Sequence, residues 1–328
     1  MKASDSIPEL SWFEATRDSL GKYWELTPWH VGGDITVKRL DKAVKTYTRQ
    51  LRDLPHDFIP MAMDTELAAV WHVTRAKPGL GEELDTDDPR RFGMKPWIYR
   101  PFIIIDELNQ HRYRCLDDDD VVFSVWSPAI TLDLKAGKRC FLGLMIDVGE
   151  NWWMTYGPLL GWKGLLPGDL RYFASRVAHQ QFALEGFDAV VRTNPVPFWA
   201  AWRYSESPAV FHGPGAIIST WLEGKLDPSF GESLPKTWLR EDAGKRTRWV
   251  NGKDFFAKKE IYLNRANGES LLLVRRDEDI KKVRKLVGSQ FTPSGEIERC
   301  GILMEVIIKD VLGEDSIGVK WERPFTKG

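Results

Sequence analysis

Lys138-Arg-Cys-Phe-Leu-Gly-Leu-Met-Ile-Asp-Val-Gly-Glu-Asn-Trp-Trp-Met-Thr-Tyr-Gly-Pro-Leu-Leu-Gly-Trp-Lys-Gly164 is the most apolar run of the chain. Cys140 to Ile146 are apolar or Gly without alternation, the pattern of a strand buried on both faces at the centre of a sheet. Gly149-Glu150-Asn151 is a turn-type insertion, and Trp152 to Tyr156 is the next extended segment. Asp147 stands where the buried strand gives way to accessible loop. The stretch therefore predicts the core of a mixed α/β domain.

Upstream, residues 97–105, 111–116, 121–126 and 129–134 predict strands of an antiparallel meander feeding this pair. Residues 58–63 and 67–75 are also strand-like, and 77–95, rich in Pro, Gly and acids, predicts an exposed loop. The first region is helical in pattern, most clearly at Val37, Leu40, Val44, Tyr47 and Leu51. Downstream, Asp169 as N-cap opens a helix whose apolar face is Leu170, Phe173, Ala174, Val177, Ala178 and Phe182, and Gly186 ends it. A short strand at 187–191, an irregular stretch at 194–208, a short helix at 216–222 and a linker at 228–235 follow.

The last third alternates at 259–265 and 270–276 around Asn267-Gly268, a strong hairpin signal. Asp277-Glu278-Asp279 then opens a helix that buries Ile280, Val283 and Val287 and stops at Gly288. Residues 302–311 and 317–321 predict a second hairpin, making a ββαββ module. The expectation is an α+β chain in three parts. These are a helical section (1–56), a mostly antiparallel central sheet with covering helices (57–235), and the ββαββ module (236–328).

Composition narrows the function only partly. Three cysteines, Cys115, Cys140 and Cys300, are too few and too far apart for a disulfide framework or a zinc site of Cys pairs. With no apolar leader and no long apolar window, the expectation is a reduced, cytoplasmic protein without a membrane span. Fifteen tryptophans suggest a large core, with some available for stacking on sugars, bases or a partner protein. Nothing matches a dinucleotide fingerprint, a P-loop, a serine nucleophile elbow or a zinc-hydrolase motif.

Charge is uneven although the net formal value is −1. Residues 236–309 hold 17 Lys and Arg against 11 Asp and Glu; residues 1–235 hold 26 against 32. Lys245, Arg246, Arg248 and Trp249, then Lys258 and Lys259, Arg275 and Arg276, and Lys281, Lys282, Arg284 and Lys285 interleave cations with a ring. Cations that neutralise phosphates beside rings that stack on bases are the ingredients of single-strand nucleic-acid binding. Asp64 and Glu66, at i and i+2 of an extended segment, with Asp147 as third acid, would hold Mg2+ for phosphoryl or nucleotidyl transfer. This acid pair, with His111 and the later acid, loosely resembles the pattern of the archaeo-eukaryotic primase-polymerase family over four residues, which does not amount to membership. The leading expectation is nucleic-acid binding with that chemistry attached. The alternative is a non-catalytic assembly or scaffold protein that self-associates or binds a protein through Trp-rich surfaces.

Overall fold

The computed structural model describes residues 42, 45–46, 48–50, 97–109, 111–149, 151–205, 218–231, 234–254 and 257–325. Residues 42, 45–46 and 48–50 are helical, within the expected N-terminal helix. The strands expected at 58–63 and 67–75, the loop at 77–95, Asp64 and Glu66 lie outside the described residues. Helices and mainly antiparallel sheets make the chain α+β, as its patterning implies. It divides into two compact units, Met1–Val210 and Phe211–Gly328.

In the N-terminal unit, β1 (Trp97–Asn109), β2 (Arg112–Leu116), β3 (Val122–Trp126), β4 (Cys140–Gly149) and β5 (Trp152–Trp162) close into a barrel in the order β1-β2-β3-β5-β4. β3 and β5 pair parallel and every other pair is antiparallel. A short helix, α1 (Ile130–Lys135), joins β3 to β4. This is the connectivity of an OB-type Greek-key barrel. The apolar 140–146 run becomes β4, held between β1 and β5.

The interior is filled by Phe102, Ile104, Tyr113, Cys115, Phe123, Val125, Phe141 and Met145, and Ile130 of α1 joins the same cluster. Residues 130–134 alternate apolar and polar and predict a strand, but the helix wins. It puts Ile130 and Leu134 on one face and leaves Leu132 in solvent, after Pro128 has broken the extended chain.

Three helices follow: α2 (Pro167–Val177), α3 (His179–Thr193) and α4 (Pro195–Ser205). Asp169 caps α2 from inside its first turn, its Oδ2 accepting the Leu166 N–H at 2.8 Å, rather than standing at the N-cap as expected. Gly186 does not end the helical region. It breaks α3 with φ 83°, and helix resumes over the residues expected as a strand at 187–191. The stretch expected as irregular at 194–208 contains α4. Phe198 sits edge-on to both Phe173 and Phe187, at 5.3 and 5.9 Å, so the three helices share one aromatic joint. α2 and α3 cover β1, α4 covers β5, and Asp188 of α3 accepts the Tyr99 N–H at 2.6 Å.

The C-terminal unit is an antiparallel sheet of β6 (Ile218–Leu226), β7 (Leu239–Ala243), β8 (Arg246–Asn251), β9 (Lys259–Asn264), β10 (Glu269–Val274), β11 (Phe291–Pro293) and β12 (Glu298–Gly301). Its order is β11-β6-β10-β9-β8-β7, with β12 also beside β6 and β7 at the outer edge. Of the segment expected as a helix at 216–222, the described residues 218–222 are strand, and β6 belongs to this sheet rather than to the central one. The β9–β10 hairpin and α5 (Asp277–Val287) form as expected. α5 packs Ile280, Val283 and Val287 onto one sheet face with Leu222, Trp249, Ile261, Leu263, Leu272 and Val274.

The second hairpin of the expected ββαββ module does not exist: residues 302–312 and 317–322 are helices, α6 (Ile302–Leu312) and α7 (Ile317–Glu322). Ile and Val composition favours strand, but Met304, Ile307, Ile308 and Val311 recur at helical spacing and are buried together. Gly313, left-handed at φ 68°, terminates α6. Opposite α5, Trp321 and the following Phe325 pack on Tyr262, and Gly318 lies against Leu273.

Candidate functional site

The cations expected to form a basic strip are dispersed by these helices. Trp249 is 2% exposed and stands edge-on to Phe230 at 5.3 Å, inside the α5-side core. Arg246 and Arg248 point to the opposite face, beneath the C-terminal helix. Arg246 donates to the Lys320 carbonyl at 3.0 Å and lies 4.7 Å over the Trp321 ring. Arg248 pairs with Glu241 and Glu260 and lies 5.1 Å over Phe325. Arg275 is buried, bonded to Ser219 and, at 2.7 Å, to Glu322. Lys259 and Lys282 share Asp279, at 3.5 and 2.6 Å. Lys258 is half-buried, while Lys245, Arg276, Lys281, Arg284 and Lys285 remain exposed. A single outward strip along the sheet is therefore absent among the described residues; what persists is a basic outer side of α5.

Of the three acids expected to hold Mg2+, only Asp147 lies among the described residues. Asp147 is half-buried on β4, opposite Trp153, and its partners Asp64 and Glu66 lie outside the described residues. Among the described residues, no group of three His, Cys, Asp or Glu is close enough to share a metal ion. His111 occupies the β1–β2 turn at φ 67°, its Nδ1 2.8 Å from Thr131 Oγ1, which lies 2.9 Å from Tyr113 Oη. With Tyr113 fully buried, this relay ties the turn to α1. Burial pushes the Cys115 and Cys140 thiols up, away from the reactive thiolate. Among the described tryptophan side chains none is exposed, so a Trp-lined partner or sugar surface is not among them. No helix of the described residues is long and apolar enough to cross a membrane.

A second polar cluster lies between the C-terminal sheet and α6 and α7. Glu260 is 1% exposed, and its Oε1 accepts from Tyr262 Oη at 3.2 Å and from Arg248 at 3.3 Å. Ser316 donates to Glu305 at 3.3 Å. Burial holds both carboxyls above the usual carboxylate range, with Glu322 adding to it; Arg275 pulls both the other way. For acids raised on folding, the stability contribution is full below the unfolded value, about 4.3, and falls as pH rises through the folded value. Glu305→Gln, which keeps an acceptor for Ser316, is expected to melt above the wild type from neutral pH upward. That advantage should shrink as pH falls toward about 4.3, and thermal melts across pH measure it; an advantage largest in acid would reverse the sign.

The outward surface of β1, β2 and β3 carries a feature that the sequence reading did not single out. Ile103, Leu116 and Val122 stand in one cross-strand row. Ile104 points into the core, and a bulge at Ile105 turns both Ile105 and Asp106 outward. Ile105, Val121 and Val122 are 43, 48 and 49% exposed. Acids border the row: Asp106 and Glu107 follow it along β1, and the β2–β3 turn is Asp117 to Asp120. Only Arg114, 3.7 Å from Asp106, and Arg171, paired with Asp118 and Asp119, oppose the exposed acids in the described ion pairs.

The turn itself is built rather than loose. Asp117 is buried, its Oδ1 accepting the N–H groups of Asp119 and Val121 at 3.0 and 2.8 Å, while Oδ2 holds the Arg100 guanidinium. That guanidinium lies 4.0 Å over the Phe123 ring and 5.4 Å over Trp153. In sequence the only signal was Ile103-Ile-Ile105 running into Asp106-Glu107, followed by four aspartates and Val121-Val122. No family model, curated protein or solved structure matches the chain.

Proposed function

We propose that this chain is a non-catalytic binding protein whose barrel receives a protein partner on the outward face of β1, β2 and β3. The observation that carries the reading is the exposed aliphatic group Ile105, Val121 and Val122, set around the half-buried Ile103 and Leu116 and under an acidic border. Exposed apolar side chains collected on one face and rimmed by polar ones favour a protein contact. The excess of carboxylates disfavours a polyanion there, since each phosphate would meet like charge. The fold alone assigns no ligand, because one barrel type serves many.

Fluorescence anisotropy of a labelled Lys/Leu amphipathic peptide tests this. The peptide should bind in the micromolar range, about 1–100 µM, its counterpart with Glu for Lys should not, and Val122→Asp should weaken binding at least about tenfold. Equal binding of both peptides, or indifference to Val122→Asp, removes the barrel face as the site. A second reading, nucleic-acid binding, is favoured by Lys281, Arg284 and Lys285 on the outer side of α5. It requires retention of a labelled oligonucleotide that falls steeply with salt and is lost in Lys281→Glu/Lys285→Glu.

A further inference from the structure

We infer that the partner of the acidic, aliphatic barrel face is α5 of a second copy of this chain, so that copies join head to tail. This deepens the proposed function and rests on it. The two surfaces are complementary in both respects that matter. On the barrel, Ile105, Val121 and Val122 are exposed beside Asp106, Glu107, Asp119 and Asp120. On α5, Lys281, Arg284 and Lys285 are exposed beside Leu286, itself 39% exposed among the large apolar side chains.

Of the three acids that open α5, two are engaged by cations outside its outer side, and Glu278 stays exposed there as a single carboxylate beside Lys281, Lys282 and Lys285. Asp277 is bonded to Arg299, and Asp279 to Lys259 and Lys282. Lys281, Arg284 and Lys285 make no ion pair among the described residues, so the second half of the helix offers its cations outward. Helical spacing puts Lys285 at the centre of the side opposite Ile280, Val283 and Val287, with Lys281 on one flank and Leu286 on the other. The dimensions agree: three strands span about 10 Å, and a helix with its side chains is about 10–12 Å across.

The two surfaces are different patches of the same molecule, so the contact is heterologous. Such a contact leaves one barrel face and one α5 unused at the ends of any open assembly, which grows until it closes or runs out of copies. A stable contact needs about 1,200 Å² or more of buried surface, so the named residues form the centre of a larger footprint. Because exposed charges contribute, the contact should be screened by salt.

Size-exclusion chromatography with light scattering on the full chain is the test. Wild-type mass should rise with protein concentration, and fall toward the monomer as salt is raised from about 0.01 to about 1 M, where the screening length drops from about 30 to about 3 Å. Val122→Asp blocks one surface and Leu286→Asp the other, and each variant should weaken association at least about tenfold while keeping the wild-type circular dichroism. Mixed together, the two should form a heterodimer that does not grow, since each copy retains only the surface the other lacks. A wild-type chain monomeric up to about 1 mM, or a mixture without heterodimer, overturns the inference. If the Lys/Leu peptide still binds in a Val122-dependent way, the proposed function survives that outcome; if it does not, both fall.

Discussion

Trp249→Ala should lower the stability of the C-terminal unit by about 3–5 kcal/mol, read as a shift of the denaturant midpoint of the full chain with unchanged slope. The indole is 2% exposed, edge-on to Phe230, and belongs to the cluster that α5 closes. It also leans on the backbone at Gly231, where φ is 118° and a β-carbon would collide with the ring. Neighbours so constrained cannot collapse into the space left, which places the loss among the larger core truncations. Trp249→Phe should cost less, because most of the contact survives. Had this ring been available for base stacking, truncation would leave the midpoint within about 0.5 kcal/mol and reduce oligonucleotide retention instead. That pattern would place Trp249 outside the core.

Asp117→Ala should destabilise the N-terminal unit by about 3–5 kcal/mol. The change removes the acceptor for two turn N–H groups and, among the described residues, leaves the Arg100 guanidinium with the Phe123 and Trp153 rings. The side chains are 16 and 6% exposed for Arg100 and Asp117, so water does not readily replace the lost carboxylate. Arg100→Met on the Asp117→Ala background should recover a large part of the loss, since an apolar side chain carries no charge to strand. A full double-mutant cycle by chemical denaturation measures this. Additive losses would mean that the pair does not interact. The same substitution should also weaken peptide binding on the barrel, because the turn that carries Asp119, Asp120 and Val121 loses its anchor.

Elements whose local signal agreed with their final environment were legible from sequence. Cys140 to Ile146, apolar on both sides, is a central barrel strand, and Asn267-Gly268 does close the β9–β10 hairpin. The acids opening α5 and the Gly288 after it mark a helix that forms at those bounds. Errors arose where two periods fit the same letters. Residues 130–134 and 302–311 contain enough Ile, Leu and Val to suit a strand, and only the fold reveals which spacing is buried. The mistake at 302–322 had the largest functional consequence. Read as strands, these residues would leave the cations of β8 and Arg275, just past β10, open to solvent. As α6 and α7 they cover Arg246, Arg248 and Arg275 and bring Glu305 and Glu322 against them. The barrel face was illegible for another reason: its row joins Ile103, Leu116 and Val122 across three strands, and only pairing register brings them side by side.

The two sheets differ in how they meet other chains. Every strand of the closed barrel has a neighbour on each side, whereas among the described residues the C-terminal sheet ends at β7 with one side unpaired. That rim is only five residues long and carries Arg240, Glu241 and Asp242 in succession. An incoming strand would have to bring its own backbone against alternating charges, over a length too short to repay their dehydration. Fibril-like stacking through this border is thereby discouraged, and a crowded solution of the protein should stay clear where an uncharged border would seed aggregates.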